Sequence, residues 1–236
     1  MKKLNWFLFL VTLLLFTVTT SHANSFSFSD NTIYWETWGN GSDDTTDSIG
    51  SPNIVGGGGV VLDTNGNLDE VCFNYLYYNS AVKSGDLFID VGSDKDWDYV
   101  VTTGGELYHF NDGVFGLDSV SNYGKYILSD DTFGVNYSGY NYREGHPVFA
   151  NINAFNQNDY TVTTGNFYVP YDGNISTPIK FTNLNIDLQG QSFIIGWAPT
   201  CANDVVYEQI PEPTQMILLG TSLLGLAGFG RKKYLK

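Results

Sequence analysis

Three observations predict an all-β fold. Short apolar or alternating runs recur along residues 24–210, and β-branched and aromatic residues dominate them. Gly, Asn and Asp punctuate those runs at intervals of about 8–12 residues, the pattern of a sandwich or barrel. Helical periodicity is hard to find over the same stretch. The expected architecture is a single antiparallel β-sandwich, jelly-roll-like, flanked by an N-terminal signal peptide and a C-terminal transmembrane helix.

The expected strands cover, in order, residues 33–38, 60–62, 71–78, 87–91, 99–102, 107–110, 126–128, 133–137, 148–155, 160–163, 167–169, 179–186, 193–197 and 205–207. Turn chemistry separates them. Asn65-Gly66 lies between Val60-Val61-Leu62 and Val71-Cys72-Phe73 and predicts a hairpin. Gly104-Gly105 separates Tyr99-Val100-Val101 from Leu107-Tyr108 and predicts another. Gly56-Gly57-Gly58-Gly59 lacks the Lys-Ser/Thr of a phosphate loop and reads as loop or strand edge. The clearest alternation sets Phe181, Leu184, Ile186 and Leu188 against polar neighbours, with one register shift at Thr182-Asn183 that predicts a bulge. Asp98-Tyr99-Val100-Val101-Thr102-Thr103-Gly104 is echoed by Asp159-Tyr160-Thr161-Val162-Thr163-Thr164-Gly165. One echo does not make a repeat array.

Composition narrows the function classes. Of the 236 residues, 16% are aromatic and only 15% charged, which argues against disorder and against a coiled coil. Residues 24–210 carry 5 of the 11 cations and 24 of the 25 acids, a net of −19. Such a surface repels phosphate backbones, so nucleic acid is excluded as a partner. It suits uncharged ligands, cationic partners or Ca²⁺, and it keeps an extracellular protein soluble. Two cysteines exclude a disulfide-dense scaffold and any Cys₄ zinc site.

The ends read as addresses. Met1-Lys2-Lys3, an apolar run over 4–18 and Ser21-His22-Ala23 form a signal peptide over residues 1–23, with cleavage after Ala23. At the other end Pro211-Glu212-Pro213 precedes an uncharged stretch over 214–230, and Arg231, Lys232 and Lys233 follow. That stretch just reaches the length of a membrane span. The basic cluster places the tail in the cytoplasm and the body outside. The extracellular domain is then residues 24–210.

Pro211-Glu212-Pro213, the Leu/Gly-rich span and the basic end resemble the PEP-CTERM sorting signal over residues 211–236. The resemblance implies an exported protein of a Gram-negative bacterium that makes exopolysaccharide. It implies transient anchoring in the inner membrane, processing by an exosortase near Pro211-Glu212-Pro213, and delivery to the cell surface or extracellular matrix. Gly85-Asp86-Leu87-Phe88-Ile89-Asp90, Gly145-His146-Pro147 and the run from Gly196 to Asp204 resemble an uncharacterised group of PEP-CTERM ectodomains. This second resemblance implies one domain ending before the sorting signal and no particular activity.

Candidate chemistry is sparse. Cys72 and Cys201 are expected to form a disulfide after export, closing a loop of about 130 residues. His109 and His146 are the histidines left after cleavage, and neither a metalloprotease motif nor a nucleophile elbow occurs. Arg143-Glu144-Gly145-His146-Pro147 reads as a turn that positions Val148, with a ligand-contacting loop as the alternative. Asp90, Asp94, Asp96 and Asp98 fall within nine residues and offer either a calcium site or a solvated acidic face. The glutamates Glu36, Glu70, Glu106, Glu144 and Glu208 form no paired-acid motif. Trp38 and Trp97 are the candidate glycan contacts, because sugar faces stack on indole rings, and core packing is the favoured alternative for any single ring. The expected function is a sorted, non-catalytic structural or glycan-associating module. A polysaccharide hydrolase or lyase and an adhesion or self-assembly module are the alternatives.

Overall fold

The computed structural model describes residues 24–30, 32–36, 38, 53–76, 82–117, 119–129, 131, 143–168 and 178–212. Among them the fold is all-β, and every strand pairing is antiparallel. The strands are β1 (Asn24–Phe28), β2 (Asn53–Leu62), β3 (Leu68–Leu76), β4 (Leu87–Val91), β5 (Tyr99–Val101), β6 (Glu106–Phe110) and β7 (Tyr126–Leu128). They continue as β8 (Pro147–Ala150), β9 (Tyr160–Thr164), β10 (Asn166–Tyr168), β11 (Ile179–Ile186), β12 (Phe193–Trp197) and β13 (Val206–Ile210). A five-stranded sheet has the order β1-β2-β3-β11-β10, and a six-stranded sheet the order β13-β12-β4-β5-β6-β9. β7 and β8 form a small third sheet. Single helical turns occupy Ser119–Asn122, Tyr123–Lys125 and Ile152–Ala154.

Local chemistry explains the hairpins. In the β2–β3 turn the Asp63 carboxylate accepts the amides of Asn65 and Asn67 at 2.7 and 2.9 Å. Gly66 supplies the left-handed residue there with φ of 89°. The β5–β6 turn closes on Gly105, with φ of 90°. The bulge expected in β11 is present, as its register against β3 shifts between Thr182 and Ile186. Asn183 and Asn185 take φ of 57° and 48° there, which asparagine tolerates better than most residues.

Three expectations are corrected, and one strand is added. Gly56-Gly57-Gly58-Gly59 lies inside β2, between β1 and β3, rather than in a loop or at an edge. A Cβ on Gly57 or Gly58 would run into the carbonyls of Phe28 or Cys72, so close neighbours demand glycine there. The stretch 33–38 is bends and turns at its described residues, because Trp35 and Trp38 are held by a core rather than a ladder. The expected strand over 148–155 ends at Ala150 and gives way to a helical turn. β1 is the added strand, and its Phe26 and Phe28 alternate with serines in the period of two that a strand shows. The stretches 133–137, 1–23 and 214–230 lie outside the described residues. Among the described residues, no helix is long and apolar enough to cross a membrane.

The inner strands of the six-stranded sheet, β12, β4 and β5, are buried on both faces. Leu87, Ile89, Val101, Leu107, Phe193, Ile195, Trp197 and Val206 face a first core shared with Val60, Val71, Phe73 and Phe181 of the five-stranded sheet. Phe88, Val100, Phe110 and Ile194 point the other way, into a second core. Trp35, Trp38, Trp97, Phe115, Leu117, Tyr126, Leu128 and Val148 complete it, supplied by connecting segments and by β7 and β8. Antiparallel sheets more often leave one face solvated and show alternation. Burial on both sides explains why β12 reads Phe-Ile-Ile-Gly-Trp with every residue buried. Gly196 is the one position on β12 where the sheet must be flat. A Cβ there would stand 2.8 Å from Trp97 and 3.0 Å from Trp35. Gly196→Ala is therefore expected to lower stability by about 1–3 kcal/mol. Gly66→Ala, whose Cβ meets open space, is expected to act only through its backbone strain. Urea denaturation of both variants measures the difference.

Candidate functional site

The acidic loop after β4 is the most polar concentration the sequence singled out. The chain turns through Gly92, Ser93 and Lys95, all at positive φ. Asp90, Asp94 and Asp98 accept amides of the loop itself, and Asp96 accepts the amide of Gly113. Asp90 is buried, and accepts the amides of Asp94 at 3.3 Å and Lys95 at 3.1 Å. Asp98 accepts the amide of Val91 at 2.6 Å, and Asp94 that of Asp96 at 3.2 Å. Burial is the main cause that pushes Asp90 and Asp98 up to about 6, with the neighbouring aspartates adding to it. No group of three or more His, Cys, Asp or Glu is arranged to hold a metal ion among the described residues.

Glu36 extends this cluster. Its Oε1 lies 2.6 Å from Lys95 Nζ, and its Oε2 accepts the Tyr207 hydroxyl at 3.3 Å. The lysine holds the Glu36 carboxyl below its usual range, while burial beside it raises the Tyr207 phenol. An open depression of about 370 Å³ adjoins the loop, lined by Lys95, Asp96, Gly113, Gly116, Leu117, Ser121 and Asn122. It offers a mixed lining of charged, polar and apolar groups.

Trp38 and Trp97 are not glycan platforms. Both are buried in the second core. Trp97 packs on Trp35 and Phe88 at 5.5 Å between ring centroids, and its indole N–H donates to the Tyr126 hydroxyl at 2.9 Å. Trp38 donates to the Leu117 carbonyl at 3.2 Å. An indole with its N–H satisfied inside a core fills volume and has no free face.

The expected disulfide is not formed either, and both thiols are free. Val71 and Phe73 point into the first core, so Cys72 between them lies on the outer face of β3, paired with Gly59 and Lys180. Cys201 is buried in the first core, its Sγ 2.9 Å from Asn203 Oδ1, and burial pushes its thiol up to about 11. The sheet itself stands between the two side chains.

Sequence reasoning missed a buried polar seam that brings together the segments Gly85–Asp90, Gly145–Pro147 and Gly196–Asp204. Ser84, Asp86, Ser129, Arg143, His146, Thr200, Asn203 and Asp204 are all buried. The Gly85 amide donates to the Ala198 carbonyl and the Asp86 amide to the Val148 carbonyl, both at 2.9 Å. Trp197 donates to Ser84 Oγ at 3.0 Å, and the Arg143 amide to the Cys201 carbonyl at 3.0 Å. The Arg143 guanidinium donates to the Ile33 carbonyl. The turn at Gly145 (φ 71°) returns His146 to Ser129, whose amide donates to the His146 carbonyl at 2.9 Å. Arg143 and His146 thus anchor the turn before β8. The signal available in sequence was the dense run of small polar residues beside Pro199.

Asp86 is the hub of this seam. Its two carboxylate oxygens accept the amides of Thr103 at 3.0 Å and Ala150 at 3.1 Å, tying the β5–β6 hairpin to β8. Burial pushes its carboxyl up to about 7, and Glu106 adds to the rise.

The echoed segments flank β6 on either side as β5 and β9. Tyr99 pairs with His109, whereas Tyr160 pairs with Phe110. The one-residue offset turns equivalent letters to opposite faces: Tyr99 packs on the first core and Tyr160 on the second. The echo is not a structural repeat.

Compared with known proteins, the chain matches no family model, no curated protein and no solved structure.

Two outcomes are expected. A carboxyl whose folded pKa is raised stabilises fully below its unfolded value, 3.8 for Asp86, and that contribution fades as pH rises through about 7. Asp90 and Asp98 act in the same direction up to about 6. Thermal melts should show a higher Tm at pH 5 than at pH 8, by on the order of 5 °C, and Asp86→Asn should flatten that slope. Trp97→Ala should cost about 3–5 kcal/mol in chemical denaturation, as a large core truncation does.

Proposed function

We propose that the chain is an exported protein that an exosortase sorts to the cell surface or extracellular matrix. Its ectodomain acts there as a non-catalytic structural module on a β-sandwich, with jelly-roll-like crossovers at β3–β11, β4–β12 and β6–β9. The observation that carries the structural reading is where the acids and rings are used. Asp63, Asp86, Asp90, Asp94, Asp98, Asp159, Asp187 and Asp204 each accept a backbone amide of the fold. The tryptophans Trp35, Trp38, Trp97 and Trp197 are core. Carboxylates that hold loops and rings that fill cores favour a scaffold over a ring-stacking glycan binder. The sorting half rests on Pro211-Glu212-Pro213, the span over 214–230 and Arg231, Lys232 and Lys233.

A polysaccharide-acting enzyme is the second reading. Asp90 and Asp98, both pushed up to about 6, have the protonation that a general acid needs. Against it stand their hydrogen bonds, which hold both carboxylates to the loop.

Incubating the full chain with the producing cells' own extracellular polysaccharide, with Ca²⁺ or with chelator, tests this. Unchanged polymer length is expected, and shortening overturns the structural reading. Retention lost in chelator would reinstate a calcium site at Asp90, Asp94, Asp96 and Asp98. For the sorting half, alanine at Pro211, Glu212 and Pro213 should leave the chain in the inner-membrane fraction. Unaltered delivery to the surface would sink it.

A further inference from the structure

One continuous segment forms the flank where both large sheets end. β9 is the last strand of the six-stranded sheet and β10 the last of the five-stranded sheet, joined by Gly165. From Tyr160 to Tyr168 no residue is charged, in a chain whose net charge is −14. Val162 and Tyr168 are 49% and 55% exposed. Edge strands in natural proteins are guarded by Lys, Pro, a bulge or a cover. β9 has no Lys or Pro, its register against β6 is unbroken, and no strand among the described residues pairs with its outer side.

The direction of its backbone groups follows from two bonds. The Asn111 amide donates to the Asp159 carbonyl and the Gly165 amide to the Gly105 carbonyl, each at 2.8 Å. In an antiparallel ladder alternate residues bond the same neighbour. The odd positions from Asp159 to Gly165 therefore face β6. The N–H and C=O groups of Tyr160, Val162 and Thr164 point away from it.

We propose that β9 pairs with β9 of a second copy, antiparallel and two-fold about Val162, so that the six-stranded sheet continues across a dimer. The sequence around Val162 complements itself in that register. Val162 lies opposite the partner's Val162, Tyr160 opposite the partner's Thr164, and Thr161 opposite the partner's Thr163. The outward groups fall in the pairs that exchange backbone hydrogen bonds. The threonines fall in the closer, non-hydrogen-bonded pairs, where Thr–Thr contacts are favourable. Charge selects a second copy as the occupant. Two chains of net −14 repel wherever their acids meet, and along Tyr160–Thr164 this edge lets them approach with no acid on either strand. A cationic partner finds no carboxylate on these residues. Self-pairing goes beyond the structural reading, which does not require it.

Cysteine substitution in the full chain, held in detergent, tests the register. Residues paired across the two-fold in hydrogen-bonded positions lie about 5.5 Å apart at Cα, within disulfide reach. Val162→Cys should give a covalent dimer on mild oxidation, well above the unsubstituted chain with its Cys72 and Cys201. Thr161→Cys should stay at that background, because the partner's Thr161 lies two residues away along the strand. Val162→Lys opposes two ammonium groups and should weaken sedimentation-detected dimers about tenfold or more, with the circular-dichroism spectrum of the fold unchanged. A monomeric parent chain, equal cross-linking of the two cysteine variants, or an undiminished Val162→Lys dimer would each overturn the pairing. None of these touches the sorting or the non-catalytic reading, which only a shortened polymer or unaltered delivery would remove.

Discussion

Burial of the centre of the six-stranded sheet on both faces, at β12, β4 and β5, is the constraint on which the rest of the structure depends. A sheet with one wet face needs one core, and its strands alternate. This one needs two cores, and the second cannot come from another large sheet. It is assembled from connecting segments: the turn that carries Trp35, the loop around Phe115 and Leu117, and the short β7–β8 pair. Gly196 lets the edges of two indoles close on the sheet, and Asp86 ties β8 to the β5–β6 hairpin. Many of the described aromatic rings are taken up in this packing, as in the contacts of Phe88 with Trp97, Phe115 and Tyr126.

The acidity of the chain has a second use beside solubility. A loop that covers a core must satisfy its own backbone amides without a ladder. Aspartate does this with a short, rotationally simple side chain that offers two acceptors. Asp90 and Asp98 hold the loop that delivers Trp97 to the second core. Asp204 reaches the amide of Ile54 at the start of β2. Several of these carboxyls are desolvated in the process, so the loops that they hold respond to pH together.

Much of the fold was legible because period-2 patterns and turn residues act locally. β4, β7, β11 and β12 fall on the residues that the pattern marks, and the hairpins at Asn65-Gly66 and Gly104-Gly105 form. The misses have one cause. Gly56-Gly57-Gly58-Gly59 looks like a loop until Phe28 and Cys72 crowd its backbone from the neighbouring strands. The stretch holding Trp35, Glu36 and Trp38 looks like a strand until a distant core takes its rings. The candidate site fared worse for the same reason. Whether a tryptophan stacks on a sugar or on Phe88, and whether an aspartate faces a cation or an amide, depends on residues far away in the chain.

By itself the sequence determined the all-β class, the hairpins, the bulge in β11 and the acidic, charge-poor character of the body, since each follows from neighbours a few residues apart. Only the tertiary structure decided that the centre of one sheet has two buried faces. The same holds for the placing of Cys72 outside and Cys201 inside, and for the buried seam gathered around Asp86 from three separate segments. It also left uncharged β9 at an edge. These are long-range matters: burial and pairing depend on which strands the chain brings side by side, and no local pattern carries that information.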